Sequence, residues 1–420
     1  MEDSVADDRL SEFLKTGLYR LENSNTIFMD PVRVLNRYYS RFRVSPSAYY
    51  TRFFQFREAN NKPFENSTAK RKRKRQRKPQ TLNQREEIAN QRHQEARSLL
   101  ARAHAALLVD GELLEILRSL RKDGESLEKR DGSELNFVEL GSVWQAPLYE
   151  IILNLCQDHI FTENEGSQVN QCCEPRMVPV FNNHVINQGT DDLVAELLSN
   201  KYIIPRGSCF YMSDLRDVQN LVPAESDSGF NLILIDPPWE NSSAHQKSKY
   251  PTLPNRYFLS LSIKQLTHSL GSLVALWVTN REKLRRFVEN DLFPSWGVKY
   301  AATFYWLKVK ADGSLISELD LFHHRPYECL VLGYCPGKNG DSEGLLKQNP
   351  LPDNQVFISV PGDYSRKPPV GDFLLKYAPS VDHPRCIELF ARELIGGWNS
   401  WGNEPLHFQD SKYFLNQTDR

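Results

Sequence analysis

One decapeptide restricts the fold more than any other part of the chain. Phe230-Asn-Leu-Ile-Leu-Ile-Asp-Pro-Pro-Trp239 runs five apolar residues out of six into an acid, two prolines and a tryptophan. A short, unbroken apolar run reads as a strand buried on both faces, as at the centre of a parallel sheet. Proline has no N–H to give to a ladder, so Pro237-Pro238 must end the strand. Its carboxyl end then presents Asp236, a stiff turn and the Trp239 indole. In open α/β sheets that end is where ligands bind.

The tetrad Asp236, Pro237, Pro238 and Trp239 suits chemistry at the exocyclic amine of a base. Such an amine is a poor nucleophile, because its lone pair is delocalised into the ring. The Asp236 carboxylate and the Pro237 carbonyl can each accept one of its two N–H groups, which localises the lone pair and aims it at an electrophile. The proline pair keeps both acceptors in place before the reaction. Trp239 offers a flat face for the base, a contact worth roughly 1–3 kcal/mol. The plain alternative is a strand-to-loop turn that happens to carry an acid.

Further strands follow the same logic. Ser208 to Asp214 reads as a buried strand ending in an acid, and Asp214 also has the character of an N-cap for a helix over Leu215 to Leu221. Leu273 to Val278 is a second apolar strand with Thr279 and Asn280 at its end. Ala302 to Leu307, followed by Lys308, is a third, and Tyr327 to Tyr334 a fourth. Gln355 to Val360 is another, followed by Ser365-Arg366-Lys367-Pro368-Pro369 and a helix over Val370 to Ala378. The last is Arg385 to Phe390, leading to Arg392, Asn403 and Glu404. An acid on such a strand, Glu388, can accept ribose hydroxyls. Glu240 to Arg256 is polar and too long for a simple turn, so it reads as a substrate loop with Lys247, Tyr250 and Arg256. His323-His324-Arg325-Pro326 lacks a third ligand at fixed spacing and reads as part of a loop. Residues 336 to 352 are rich in Gly, Asn, Pro and Lys and read as a surface insertion.

Asp-Pro-Pro-Trp after an apolar strand resembles the MT-A70 family of adenine-N6 methyltransferases, with a closer likeness to the methyltransferase-like protein four branch. The likeness covers residues 200 to 405 and is looser before them. It implies a Rossmann-like α/β fold that binds S-adenosyl-L-methionine. It also implies circular permutation, because the cofactor strand follows the catalytic strand. The family's pattern assigns Ser213, Asp214 and Leu215 to the adenine end of the cofactor. Asp236 and Pro237 border the cofactor, and Lys367 reaches its carboxylate, aided by the following helix. Glu388, Leu389, Phe390, Arg392, Asn403 and Glu404 line the rest of its pocket. Trp239, Trp277, Asn280, Trp306 and Lys308 become candidates to face substrate. The resemblance implies RNA as substrate, in particular adenosine or 2′-O-methyladenosine of small nuclear RNA. DNA adenine and a non-catalytic RNA-binding scaffold are the alternatives. The zinc fingers of the mRNA enzyme are absent, and no protein partner is required by the sequence.

Charge is balanced at 52 basic and 53 acidic side chains, so the total does not announce a nucleic-acid partner. Seven cysteines with no Cys-x-x-Cys fit a reducing compartment and no structural metal. The acidic amino terminus lacks the apolar core of a signal peptide. No run approaches the roughly 18 apolar residues of a membrane-crossing helix. Charge is concentrated at Lys70 to Lys78, where eight of nine residues are cationic. That tract suggests nuclear import, with nucleic-acid contact as a compatible use. Residues 1–200 read as an N-terminal region ahead of a catalytic domain at 201–420. In the former, arginines among Tyr38, Tyr39, Tyr49, Tyr50, Phe53 and Phe54 suit either a strand-gripping arm or a packed one. Residues 82 to 121 have helical spacing with a break at Gly111, suggesting a helix pair.

Overall fold

The computed structural model describes residues 2–22, 24–54, 84–121, 134–142, 144–154, 175–240, 252–321, 324–338, 340–379 and 381–417. The expectations for Lys70 to Lys78, Lys247, Tyr250 and His323 fall outside them.

The molecule is built on an eleven-stranded sheet in the order β1 (Leu18–Arg20), β2 (Thr26–Met29), β14 (Val356–Ser359), β12 (Lys299–Lys308), β13 (Tyr327–Cys335), β11 (Ser272–Val278), β10 (Leu232–Ile235), β15 (Cys386–Leu389), β16 (Asn399–Gly402), β9 (Cys209–Met212) and β6 (His184–Ile186). β3 (Phe42–Val44) and β17 (Phe414–Asn416) form a separate pair. β5 (Pro175–Pro179), β4 (Glu150–Asn154), β7 (Leu193–Leu197) and β8 (Asn200–Ile204) form a small antiparallel sheet. In the large sheet, β1, β13 and β6 run against the other eight strands. The carboxyl ends of those eight, and the amino end of β13, therefore lie along one edge.

The apolar run before the tetrad is β10, flanked in parallel by β11 and β15. Period-two alternation sorts its side chains. Leu232 and Leu234 join one core with Leu273, Ala275 and Trp277. Ile233 and Ile235 join the opposite core with Val274, Leu276 and Val278. Both faces are covered, which is why the run is unbroken in sequence. The ladder ends where proline requires it: Asp236 N donates to the Leu389 carbonyl at 3.2 Å, and Trp239 N turns back to the Pro237 carbonyl at 2.8 Å. Leu253 N then donates to the Pro238 carbonyl at 3.0 Å, closing the base of the loop that follows.

The N-terminal region is woven into this body. β2 extends the large sheet beside β14, and β6 extends it beside β9. Helix Gln84–Val109 lays Ala96, Leu100, Ala103 and Leu107 on the first core. Its end is the expected break, where the Asp110 side chain accepts from Leu113 N at 3.0 Å and caps helix Gly111–Ser119. Tyr39, Tyr49 and Tyr50 are buried, so these rings belong to a packed arm and present no stacking surface. The expected insertion at 336 to 352 instead carries helix Ser342–Gln348, with Leu345 buried. The helix expected over 370 to 378 is shorter, Gly371–Leu375. Among the described residues no helix is long and apolar enough to cross a membrane.

Candidate active site

A cavity of about 1000 Å³ opens along the sheet edge where the strand ends converge. Asp236, Pro237, Pro238 and Trp239 line it from β10, and Trp277, Thr279 and Asn280 from β11. Lys308 enters from β12 and Tyr327 and Glu328 from β13. Ser213, Asp214 and Leu215 come from β9, Phe390 and Arg392 from β15, and Trp401, Gly402, Asn403 and Glu404 from β16. A smaller cavity beneath it brings Asp236, Lys367, Glu388, Phe390 and Arg392 together.

Four charges alternate across the floor. Lys367 Nζ lies 3.2 Å from Asp236 and 3.3 Å from Glu328, and Lys308 pairs with Glu328 from the other side. Lys308 also sits 4.3 Å over the Trp306 ring. Burial works to raise the Glu328 carboxyl, but the two lysines outweigh it and hold it at about 2. Burial works to lower Lys367, and its two carboxylates raise it above the ordinary lysine value. Lys367 thus holds the carboxylate of the tetrad. It does not stand at a helix start: helix Gly371–Leu375 begins four residues later and is too short to offer an anion site.

The remaining residues divide by placement. The Trp239 indole is 7 % exposed, donates Nε1 to the Trp277 carbonyl at 2.8 Å, and meets Phe258 edge-on at 5.1 Å. Its first task is to anchor the turn. Asn280 donates to the Tyr327 carbonyl and so ties β11 to β13 at the rim. Asp214 lines the cavity and is also the N-cap of the 3-10 helix Leu215–Leu221. Burial alone would raise its carboxyl, but bonds from Arg216 N and the Arg216 guanidinium leave it below the usual range. The Ser213 hydroxyl accepts from Trp401 Nε1 at 2.9 Å. Burial raises Glu404, and burial with the charges of Asp236 and Glu393 pushes Glu388 to about 8.

Three expected site residues stand elsewhere. The Leu389 side chain is fully buried in the second core, so only its carbonyl serves the site, through Asp236 N. Arg256 is exposed and lies off the cavity lining. Trp306 is buried and donates Nε1 to Ser359 Oγ at 2.8 Å. Sequence reasoning missed Glu328 and Tyr327, which sit in an otherwise apolar strand.

Backbone strain collects here. Phe390 (φ 62°), Ser365 (φ 60°) and His324 (φ 61°) all line the cavity in the left-handed region. For residues other than glycine that conformation costs of order 1–3 kcal/mol, which the surrounding packing must hold. Gly402 solves a different problem: a Cβ there would stand 2.9 Å from the Ala391 carbonyl. Among the described residues no cluster of three or more His, Cys, Asp or Glu side chains could hold a metal ion.

Residues 230–404 match the MT-A70 family. That stretch of the chain carries an MT-A70 domain. Mouse N(6)-adenine-specific methyltransferase METTL4 is 38 % identical over 236 residues, 54 % of this chain and 48 % of that protein. The human protein of the same name is 37 % identical over 239 residues, 55 % of this chain and 48 % of that protein. N6-methyladenosine RNA methyltransferase MTA1 of Pyricularia oryzae is 30 % identical over 218 residues, 50 % of this chain and 56 % of that protein. A DNA N6-methyl methyltransferase of Caenorhabditis elegans is 34 % identical over 217 residues, 51 % of this chain and 56 % of that protein. The chain spans about half the length of the curated relatives it matches.

Proposed function

We propose that this protein is an S-adenosyl-L-methionine-dependent methyltransferase acting on N6 of adenine in RNA. The observation that carries the reading is the pairing of two acceptors at the cavity wall. The Asp236 carboxylate is steered by Lys367, and the Pro237 carbonyl is fixed by its bond from Trp239 N. A carbonyl oxygen has two lone pairs, so Pro237 keeps one for an incoming amine. The two N–H groups of an adenine amine then have one acceptor each, and the nitrogen lone pair is turned into the cavity.

The residues present fit the methyl donor. When bound, the donor supplies an electrophilic methyl group. Its ribose hydroxyls and ring amine suit Glu404, Asn403 and Asp214, which gather at the β9–β16 side of the cavity. Arg392 lines both cavities and suits a carboxylate. Lys367 already serves Asp236 and Glu328, so its first contribution is to orient the acid. We read the order of catalytic strand before cofactor strand as a circular permutation of the usual methyltransferase fold.

The fungal relatives named for RNA support an RNA substrate, and the nematode relative named for DNA keeps DNA adenine as the second reading. The branch points to small nuclear RNA, at adenosine or 2′-O-methyladenosine. The basic tract Lys70 to Lys78 supports work in the nucleus. A target inside a duplex has to be flipped out at a cost of a few kcal/mol, so a looped or single-stranded site is favoured. The test is labelled-methyl transfer to matched RNA and DNA oligomers, with and without 2′-O-methyl at the target. Transfer to RNA well above DNA is expected. Equal transfer would defeat the RNA assignment, and no transfer to either would leave a binding scaffold.

A further inference from the structure

We infer that the small-sheet module at residues 134–204 completes the nucleoside end of the cavity, with Phe137, Val138 and Phe181 forming an apolar wall for the purine ring of the methyl donor. The inference rests on the donor reading above, and it concerns residues outside the 230–404 family match.

Three kinds of contact put this wall beside the β9–β16 strand ends. Phe181 bridges Met212 in parallel, and Asn182 N donates to the Met212 carbonyl at 2.9 Å. Phe181 is thereby held against the strand end that leads into Ser213, Asp214 and Leu215. On the other flank, Glu134 lies 3.8 Å from His407 and 3.7 Å from Lys412, and His407 lies 3.6 Å from Glu404. The segment carrying Phe137 and Val138 is thus moored next to Asn403 and Glu404. Between the flanks, Gly141 is pressed on the Phe181 ring. A Cβ there would stand 2.9 Å from Phe181 Cε1 and 3.0 Å from the Phe137 carbonyl. Phe137 in turn meets Tyr202 edge-on at 5.9 Å, and Phe181 meets Tyr149 at 6.2 Å. The wall is packed from behind, and Phe137, Val138, Gly141 and Phe181 face the cavity.

Distance selects the occupant. β9 stands three strands away from β10 in the order β10-β15-β16-β9. At about 4.8 Å per strand, a ring against Phe181 lies about 14 Å across the sheet from Asp236. A target base held at Asp236 cannot touch both places. A nucleoside joined to an amino-acid chain has the length to do so. The polar groups there, Asp214, Asn403 and Glu404, suit hydroxyls and a ring amine. A flat ring also needs an apolar face, and these module residues supply one.

The test is calorimetric titration of the full chain with two probes. S-adenosylhomocysteine carries nucleoside and amino acid, and 5′-methylthioadenosine carries the nucleoside without the amino acid. Val138 is half-buried, so Val138→Glu changes the wall with the least disturbance to folding. Phe181→Ala is the second variant, and Val138→Ile is the conservative control. Both wall variants should lose about tenfold or more in affinity for each probe, with Val138→Ile unchanged. RNA-oligomer affinity and the thermal midpoint of Val138→Glu should stay at the wild-type level. Wild-type affinity of both variants for 5′-methylthioadenosine would overturn the inference, as would a loss confined to the RNA oligomer. If the wild-type chain binds neither probe, the donor reading itself falls, which is a different failure.

Discussion

In the proposed reaction Asp236 accepts a hydrogen bond from a neutral amine while lying 3.2 Å from an ammonium. The geometry reconciles these because Lys367 is shared with Glu328, whose second partner is Lys308. Removing Asp236 leaves that remaining trio intact, so Asp236→Ala should cut methyl transfer by about a thousandfold or more. Affinity for S-adenosylhomocysteine should change little. A variant that keeps most of its turnover would refute the assigned role. Glu388 answers to pH instead. Burial, then the negative charges of Asp236 and Glu393, raises its pKa from 4.5 to about 8. The folded chain keeps a proton that an unfolded glutamate releases. Stability from this group is therefore full below about 4.5 and is lost as pH rises towards 8. Glu388→Gln cannot ionise, so its melting temperature should equal that of the wild type in acid and exceed it above pH 8. Parallel pH profiles for the two proteins would dismiss the protonated Glu388. Asp236 was legible in sequence because prolines announce a strand end. Glu328 was not: it stands inside an apolar strand, and its charge has meaning only once β12 and β13 pair in the register that puts Trp306 opposite it.

At the scale of elements, the loop that delivers Lys367 is held by the N-terminal arm. The Arg366 guanidinium lies 4.4 Å from the Tyr49 ring and 4.4 Å from the Phe408 ring, and it pairs with Glu393. Gly362 lets the loop approach the same tyrosine, since a Cβ there would stand 2.9 Å from the ring. Arg52 adds a pair to Asp363 at 2.7 Å. Tyr49→Leu keeps most of the buried volume but removes the aromatic face. It should cost about 1–2 kcal/mol of stability. Because the next residue is Lys367, which orients Asp236, kcat should fall as well. A stability loss with kcat unchanged would reduce Tyr49 to packing alone. Sequence showed the arginines and aromatics of this arm as one cluster, suited to gripping a strand or to packing. Folding decides for packing, by burying Tyr39, Tyr49 and Tyr50 and lending Tyr49 to an arginine over three hundred residues away. Short helices were the weakest reading for a related reason. Ser342–Gln348 is fixed by its Asp341 cap and by Leu345 in the core, and neither contact shows in a stretch rich in Gly, Asn, Pro and Lys.

The whole molecule does not divide at the borders of the family match. Residues 230–404 contain β10 to β16 but not β2 or β9, which cover the two flanks of that group. Cut there, β14 loses its parallel partner β2, and β16 loses β9. All four residues of β14 are buried in the full chain, so the cut bares a flat apolar strand edge, the template on which sheets aggregate. The first core is opened as well, because Ala96, Leu100, Ala103 and Leu107 of helix Gln84–Val109 are gone from it. The clamp on Arg366 goes too, since Tyr49 and Phe408 both lie outside the cut. The 230–404 fragment should therefore be insoluble or lack a cooperative thermal transition, while the full chain melts in one. Solubility, circular dichroism and S-adenosylhomocysteine titration on the two proteins decide the matter. A soluble, cooperatively melting 230–404 fragment that binds the probe as the full chain does would show that the N-terminal strands, the long helix and the arm are dispensable, against every contact they make here.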